Sequence, residues 1–129
     1  MELPKDQELN NKGNISGKTF NELDIKNNFD NVSIVEVYNH FKKGLVDKKY
    51  MNKNELLQFI TLAFDKMEIP AQPFKLKHIQ AKQKIIAIFY DYYKNIATKP
   101  HGKQKLYATL LCNYFEGFKI ENVSTNFNK

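Results

Sequence analysis

Cationic side chains crowd one short stretch of the chain, "TKPHGKQK" at residues 98–105. Lys99, His101, Lys103 and Lys105 surround Pro100 and Gly102, and Lys94 lies about one helical turn earlier. The Pro/Gly pair predicts a sharp connection that opens a helix. A helix start exposes free backbone N–H groups and favours negative charge. Lysines there have the wrong sign unless an anion joins them, and phosphate is such an anion. The stretch is not a P-loop, since Gly-x-x-x-x-Gly-Lys-Ser/Thr spacing is absent. A solvated helical hairpin kept soluble by its lysines accounts for the same residues.

A second cationic series, Lys75, Lys77, Lys82 and Lys84, precedes it. Positions 77 and 84 share a helical face, as do 75 and 82 if the helix extends that far back. Such a face suits a nucleic-acid backbone, and it also suits plain solvent. All 20 basic residues are lysine, a mobile point charge fitted to unspecific phosphate contact rather than to bidentate base reading. The aromatics of "IFYDYYK" could stack on bases beside these lysines. Most of them fall on apolar stripes, where core packing is the better reading, and Tyr90 is the one expected to be exposed. At the C-terminus, "LYATLLCNYFEGFKIENVSTNFNK" has a helix–Gly–helix layout. Its second helix would carry Asn122, Ser124, Thr125 and Asn126, but Asn113 and Glu116 fit a helix-turn-helix poorly.

Enzyme chemistry finds less support. His40, His78 and His101 are scattered, with no His-x-x-x-His pair and one cysteine. No metal site, cofactor or catalytic set follows from that spacing. Cys112, beside Leu110 and Leu111, reads as a small core residue. Asp47, Asp65, Glu68 and Asp91 do not cluster along the chain.

Helices must position these groups. In "NVSIVEVYNHFKKGLV", Ile34, Val37, Tyr38, Phe41 and Leu45 recur at helical spacing, with Asp30 or Asn31 as the expected cap. In "NKNELLQFITLAFDKM", Asn52 and Glu55 form a capping-box pattern ahead of Leu56, Ile60, Ala63, Phe64 and Met67. Pro70 and Pro73 end that region. A third helix is predicted over 79–96, and a fourth from about 102 to 116 with Leu106, Leu110, Tyr114 and Phe115 inward. Gly117 reads as its left-handed stop. The tail adds a short helix capped by Asn122. No segment alternates as a strand does. The expected fold class is all-α: a compact bundle of four main helices over 32–129, with a flexible polar arm at 1–31 and a short C-terminal helix.

Composition sets the outer limits. The chain has 129 residues, 42% hydrophobic, enough for one cored domain. No apolar run reaches the roughly 18 residues of a membrane span, and the start lacks a signal-peptide layout. A cytoplasmic protein with no membrane partner is expected. Net charge is +6, and residues 75–105 hold eight lysines against the single carboxylate of Asp91. A+T-rich coding would favour lysine everywhere, but would not gather the excess in one segment. A local basic surface is the natural reading.

The pattern "HFKKGLV…KNELLQFITLAF…KQKIIAIFYDYYKNIATKPHGKQKLYATLLCNYFEGF…NVSTNF", over residues 38–129, resembles small helical proteins of Bacteroidota associated with accessory or mobile genes. The resemblance implies that context and carries no named family, activity or site residue. The function expected from the residues is a non-enzymatic nucleic-acid-associated accessory factor, whose lysines at 75–105 contact phosphates of DNA or RNA. The alternative is an interaction module for an acidic protein partner, with homodimerisation by helix packing as one version.

Overall fold

The computed structural model describes residues 25–127. The protein is all-α there, with five helices and no strand. Helix α1 spans Ile34–Phe41, α2 Lys53–Ile60, α3 Lys82–Asp91, α4 Gln104–Cys112 and α5 Ile120–Asn126. The first three each continue into a wider turn, Lys42–Val46, Thr61–Lys66 and Tyr92–Ile96. In these turns the N–H groups of Asp47, Met67 and Ala97 reach back five residues, to the carbonyls of Lys42, Leu62 and Tyr92. The wider turn rotates the chain less per residue. After α3 it holds Tyr92, Tyr93 and half-buried Ile96 toward the interior.

The capping box at Asn52 and Glu55 forms as its pattern predicts. The α1 cap differs: Ser33 accepts the Glu36 N–H, and neither Asp30 nor Asn31 caps. Asp30 is drawn elsewhere, as described below. Helix α3 begins at Lys82 rather than 79. The segment before it is held extended by Phe74, which donates to the Tyr114 carbonyl and accepts from the Glu116 N–H. Helix α4 ends at Cys112 because that same exchange unwinds residues 113–117, with Gly117 at φ +92°. Asn122 lies inside α5, whose cap position is Lys119.

Aromatic rings fill the centre. Phe41 meets Phe59 and Phe89 at centroid distances of 5.7 and 5.0 Å, and Phe59 meets Phe115 at 4.9 Å. Each such pair adds about 0.5–1.5 kcal/mol beyond the area it buries. Two residues of the expected stripes turn outward. Met67 is 52% exposed because it takes the left-handed conformation that ends the α2 turn, and Leu106 is 42% exposed. Tyr90, expected outside, is 6% exposed and packs edge-on against Phe127. Gly44 has a packing role: a Cβ there would lie 2.7 Å from Ile88 Cγ2, so glycine sets how closely α1 approaches α3. Of the residues assigned to the arm, 25–31 pack on the bundle, with Phe29 edge-on to Phe64 and Tyr107. The rest of the arm lies outside the described residues.

Candidate functional site

The α3–α4 connection is compact and conformationally unusual. Ala97 and Lys99 donate N–H groups to the carbonyls of Tyr92 and Tyr93, both at 2.8 Å, closing the end of α3. Thr98 and Lys99 then adopt φ +62° and +51°, and Gly102 follows Pro100 and His101 at φ +71°. Two consecutive non-glycine residues in this region cost about 1–2 kcal/mol each. The turn is therefore held by its surroundings rather than by local preference.

Helix α4 opens without a side-chain cap. Lys103 occupies the cap position, and the Tyr107 N–H makes the bond to its carbonyl at 3.1 Å. Helix α3 opens likewise, with Ala81 at its cap position. By contrast, α1 and α2 are capped by Ser33 and Asn52 and carry Glu36 and Glu55 in their first turns. Helices α3, α4 and α5 all lack a side-chain cap, and lysines stand at their starts: Lys82 and Lys84 on α3, Lys103 and Lys105 on α4, and Lys119 at the α5 cap position.

The nine cationic candidates are all exposed, and they form two groups rather than one. Lys94, Lys99, His101, Lys103 and Lys105 gather at the α3–α4 hairpin. Lys75, Lys77, Lys82 and Lys84 lie toward the opposite end of α3, since the ten residues from 84 to 94 advance about 15 Å along the axis. Lys75 and Lys77 sit in the loop before α3, so neither shares a helical face with Lys82 or Lys84. Lys82 is engaged: its Nζ donates to the Gly117 carbonyl at 2.6 Å and lies 5.6 Å from the Phe118 ring centroid. Lys77 shares a surface hollow with Lys49 and Lys53, two cations outside the segment singled out by sequence. Among the described residues Lys42 pairs with Asp47, and His40 stands 3.7 Å from Asp91, an ion pair when the imidazole is protonated; none of the nine takes part in either.

Beneath the hairpin lies a cavity of about 550 Å³ whose lining includes Asp30, Glu36, Thr98, Pro100, Lys103 and Tyr107. Asp30 is the hub of this region. Its Oδ2 accepts the hydroxyls of Tyr92 and Tyr107 at 2.7 and 3.0 Å, and its Oδ1 accepts the Val32 N–H at 3.1 Å and the Asn27 amide. Burial, reinforced by the Asp30 carboxylate, pushes the ionisation of both tyrosines well above the ordinary range. They are fixed as neutral donors. With both oxygens each receiving two donors, Asp30 is a clasp that ties the N-terminal segment to α3 and α4. It has no spare lone pair for proton transfer. The sequence marked it only as a helix-cap candidate, because its tyrosine partners lie 62 and 77 residues away.

Other reactive groups stay apart. Burial, and then Glu121, pushes the Cys112 thiol up to about 11, so it is protonated at neutral pH. Among the described residues, no three His, Cys, Asp or Glu side chains are grouped to hold a metal ion. No described helix is long and apolar enough to cross a membrane. In α5, Thr125 and Asn126 direct side-chain donors to carbonyls of their own helix, those of Glu121 and Asn122. Compared with known proteins, the chain matches no family model, no curated protein and no solved structure.

Proposed function

We propose that this protein is a non-enzymatic nucleic-acid-associated accessory factor that contacts the phosphate backbone of DNA or RNA. The α3–α4 hairpin is the principal contact, through Lys94, Lys99, His101, Lys103 and Lys105 and the free N–H groups that open α4. The observation that carries the reading is the uncapped α4 start set among exposed cations that have no carboxylate partner among the described residues. An anion there would satisfy the N–H groups and relieve the unfavourable meeting of lysines with the positive end of the helix. Lys75, Lys77 and Lys84 extend the contact at the far end of α3. The roughly 15 Å between the groups corresponds to about four base-pair steps measured along a duplex axis. Lysine in place of arginine suits contact that is indifferent to sequence. The accessory-gene context implied by the sequence resemblance is compatible with such a role.

The test is binding to labelled DNA and RNA oligonucleotides across a salt series. Four hairpin lysines at phosphates predict a log–log salt slope of about −3.6 on duplex DNA. Changing Lys99, Lys103 and Lys105 together to Glu should abolish binding while leaving helicity unchanged. No binding at low salt, or unchanged binding by the triple variant, rejects the proposal. Recovery of one stoichiometric acidic protein after nuclease treatment would then favour an interaction module.

A further inference from the structure

A second groove, of about 660 Å³, runs between α1 and α3 and shares Glu36 and Ile96 with the cavity beneath the hairpin. Gly44, Ala87, Ile88 and Ile96 give it apolar walls, and charged residues stand along its length. The two helices run antiparallel, because His40 meets Ile88 and Asp91 while Gly44 meets Ile88 one turn further along. Glu36, His40 and Asp91 therefore cluster toward one end, and Lys43 and Lys48 lie toward the other.

The acceptor end is preorganised. His40, with a side chain only 12% exposed, has its Nε2 2.8 Å from the Ile88 carbonyl oxygen. That oxygen can only accept, so in the neutral ring Nε2 carries the hydrogen and Nδ1 the lone pair. Nδ1 stands 3.7 Å from Asp91 Oδ2. Asp91 Oδ1 is occupied by the Asn95 amide, which leaves Oδ2 on the His40 side. While the ring is neutral, two lone-pair acceptors thus face each other with no donor between them. A nitrogen bearing several hydrogens can sit about 2.8 Å from both, the length of a charge-assisted hydrogen bond.

We propose that this groove binds a short ω-amino carboxylate. The ammonium group bridges His40 Nδ1 and Asp91 Oδ2, with Glu36 adding negative potential. The methylene chain lies over Gly44, Ala87 and Ile88. The carboxylate meets the flexible ammonium groups of Lys43 and Lys48. Both charge clusters are needed to fix this choice, since a simple amine would leave the lysines opposed to nothing and a simple acid would leave the acceptor pair unbridged. The eight residues from His40 to Lys48 correspond to about 12 Å of helix, and the lysine side chains span the remainder beyond a six-carbon ligand.

The experiment titrates the full chain with 6-aminohexanoate, hexylammonium and hexanoate, following the His40 ring and Ala87 methyl signals by NMR. Saturable shifts at both positions are expected, tightest for 6-aminohexanoate and weakest for hexanoate. Asp91→Asn should weaken 6-aminohexanoate about tenfold and remove the preference for an amine. Ala87→Phe, at an exposed helix position, should fill the groove and abolish the shifts. Equal binding of hexanoate, shifts that avoid the groove, or no saturable shift in the millimolar range would overturn the proposal. If Ala87→Phe fails to fold, Asp91→Asn at its exposed carboxylate still decides it.

Discussion

Removing the Asp30 carboxylate should loosen the N-terminal segment and the α3–α4 pair together. Tyr92 is 0% exposed, so its hydroxyl loses its acceptor in a buried setting when Asp30 is replaced by Ala. A buried hydroxyl left unsatisfied costs about 1–3 kcal/mol. Tyr107 borders the 550 Å³ cavity, so water can partly replace its acceptor. The Val32 N–H and the Asn27 amide lose a partner too, nearer the surface. Together these give a loss of about 3 kcal/mol for Asp30→Ala, dominated by Tyr92. Tyr92→Phe alone should cost about 1–1.5 kcal/mol, because Asp30 keeps three donors. In the Tyr92→Phe background, Asp30→Ala should then cost about 1–2 kcal/mol less than in the parent chain. Urea unfolding followed by far-UV circular dichroism measures all four proteins of the cycle. With a slope of about 2 kcal/mol per molar, the midpoint of Asp30→Ala falls by about 1.5 M. A drop below about 0.5 kcal/mol, or strictly additive single changes, refutes the clasp.

Alkaline pH should act on the same contact. Tyr92 and Tyr107 hold their protons well above pH 10 when folded, while unfolded tyrosines release theirs near it. The unfolded state then binds fewer protons, so stability is complete below pH 10 and falls above it, by about 1.4 kcal/mol per pH unit for each tyrosine. Unfolding midpoints that stay flat between about pH 9 and 11.5 would contradict this. Gly44→Ala gains about 1 kcal/mol of helix propensity but drives a methyl to 2.7 Å from Ile88 Cγ2. The net expectation is a loss of about 1–2 kcal/mol, largely relieved when Ile88 is also changed to Ala, and thermal melts of the single and double variants read it.

The helical class and the main apolar stripes were legible because they depend on spacing within one helix. Ile34, Val37, Phe41 and Leu45 recur at that spacing, and all four are buried. The capping box was legible for the same reason, since Asn52 and Glu55 meet across three residues. Ser33 was missed as a cap because Asp30 is an equally good local acceptor until distant tyrosines occupy it. Met67 was misplaced because a stripe does not show where a left-handed residue ends it.

The cationic excess was visible as a segment of sequence, but its division was not. Lys84 and Lys94 are near in number, yet a rigid helix holds their backbones about 15 Å apart. The His40–Asp91 acceptor pair joins residues 51 apart, and no periodicity links them. Short-range order thus came from the chain itself: which stretches coil, which faces are apolar and where charge accumulates. Tertiary packing decided how α1 and α3 meet, what Asp30 holds and which cations share a face. Those outcomes depend on contacts between residues many turns apart, whose geometry exists only after the aromatic core has brought the helices together.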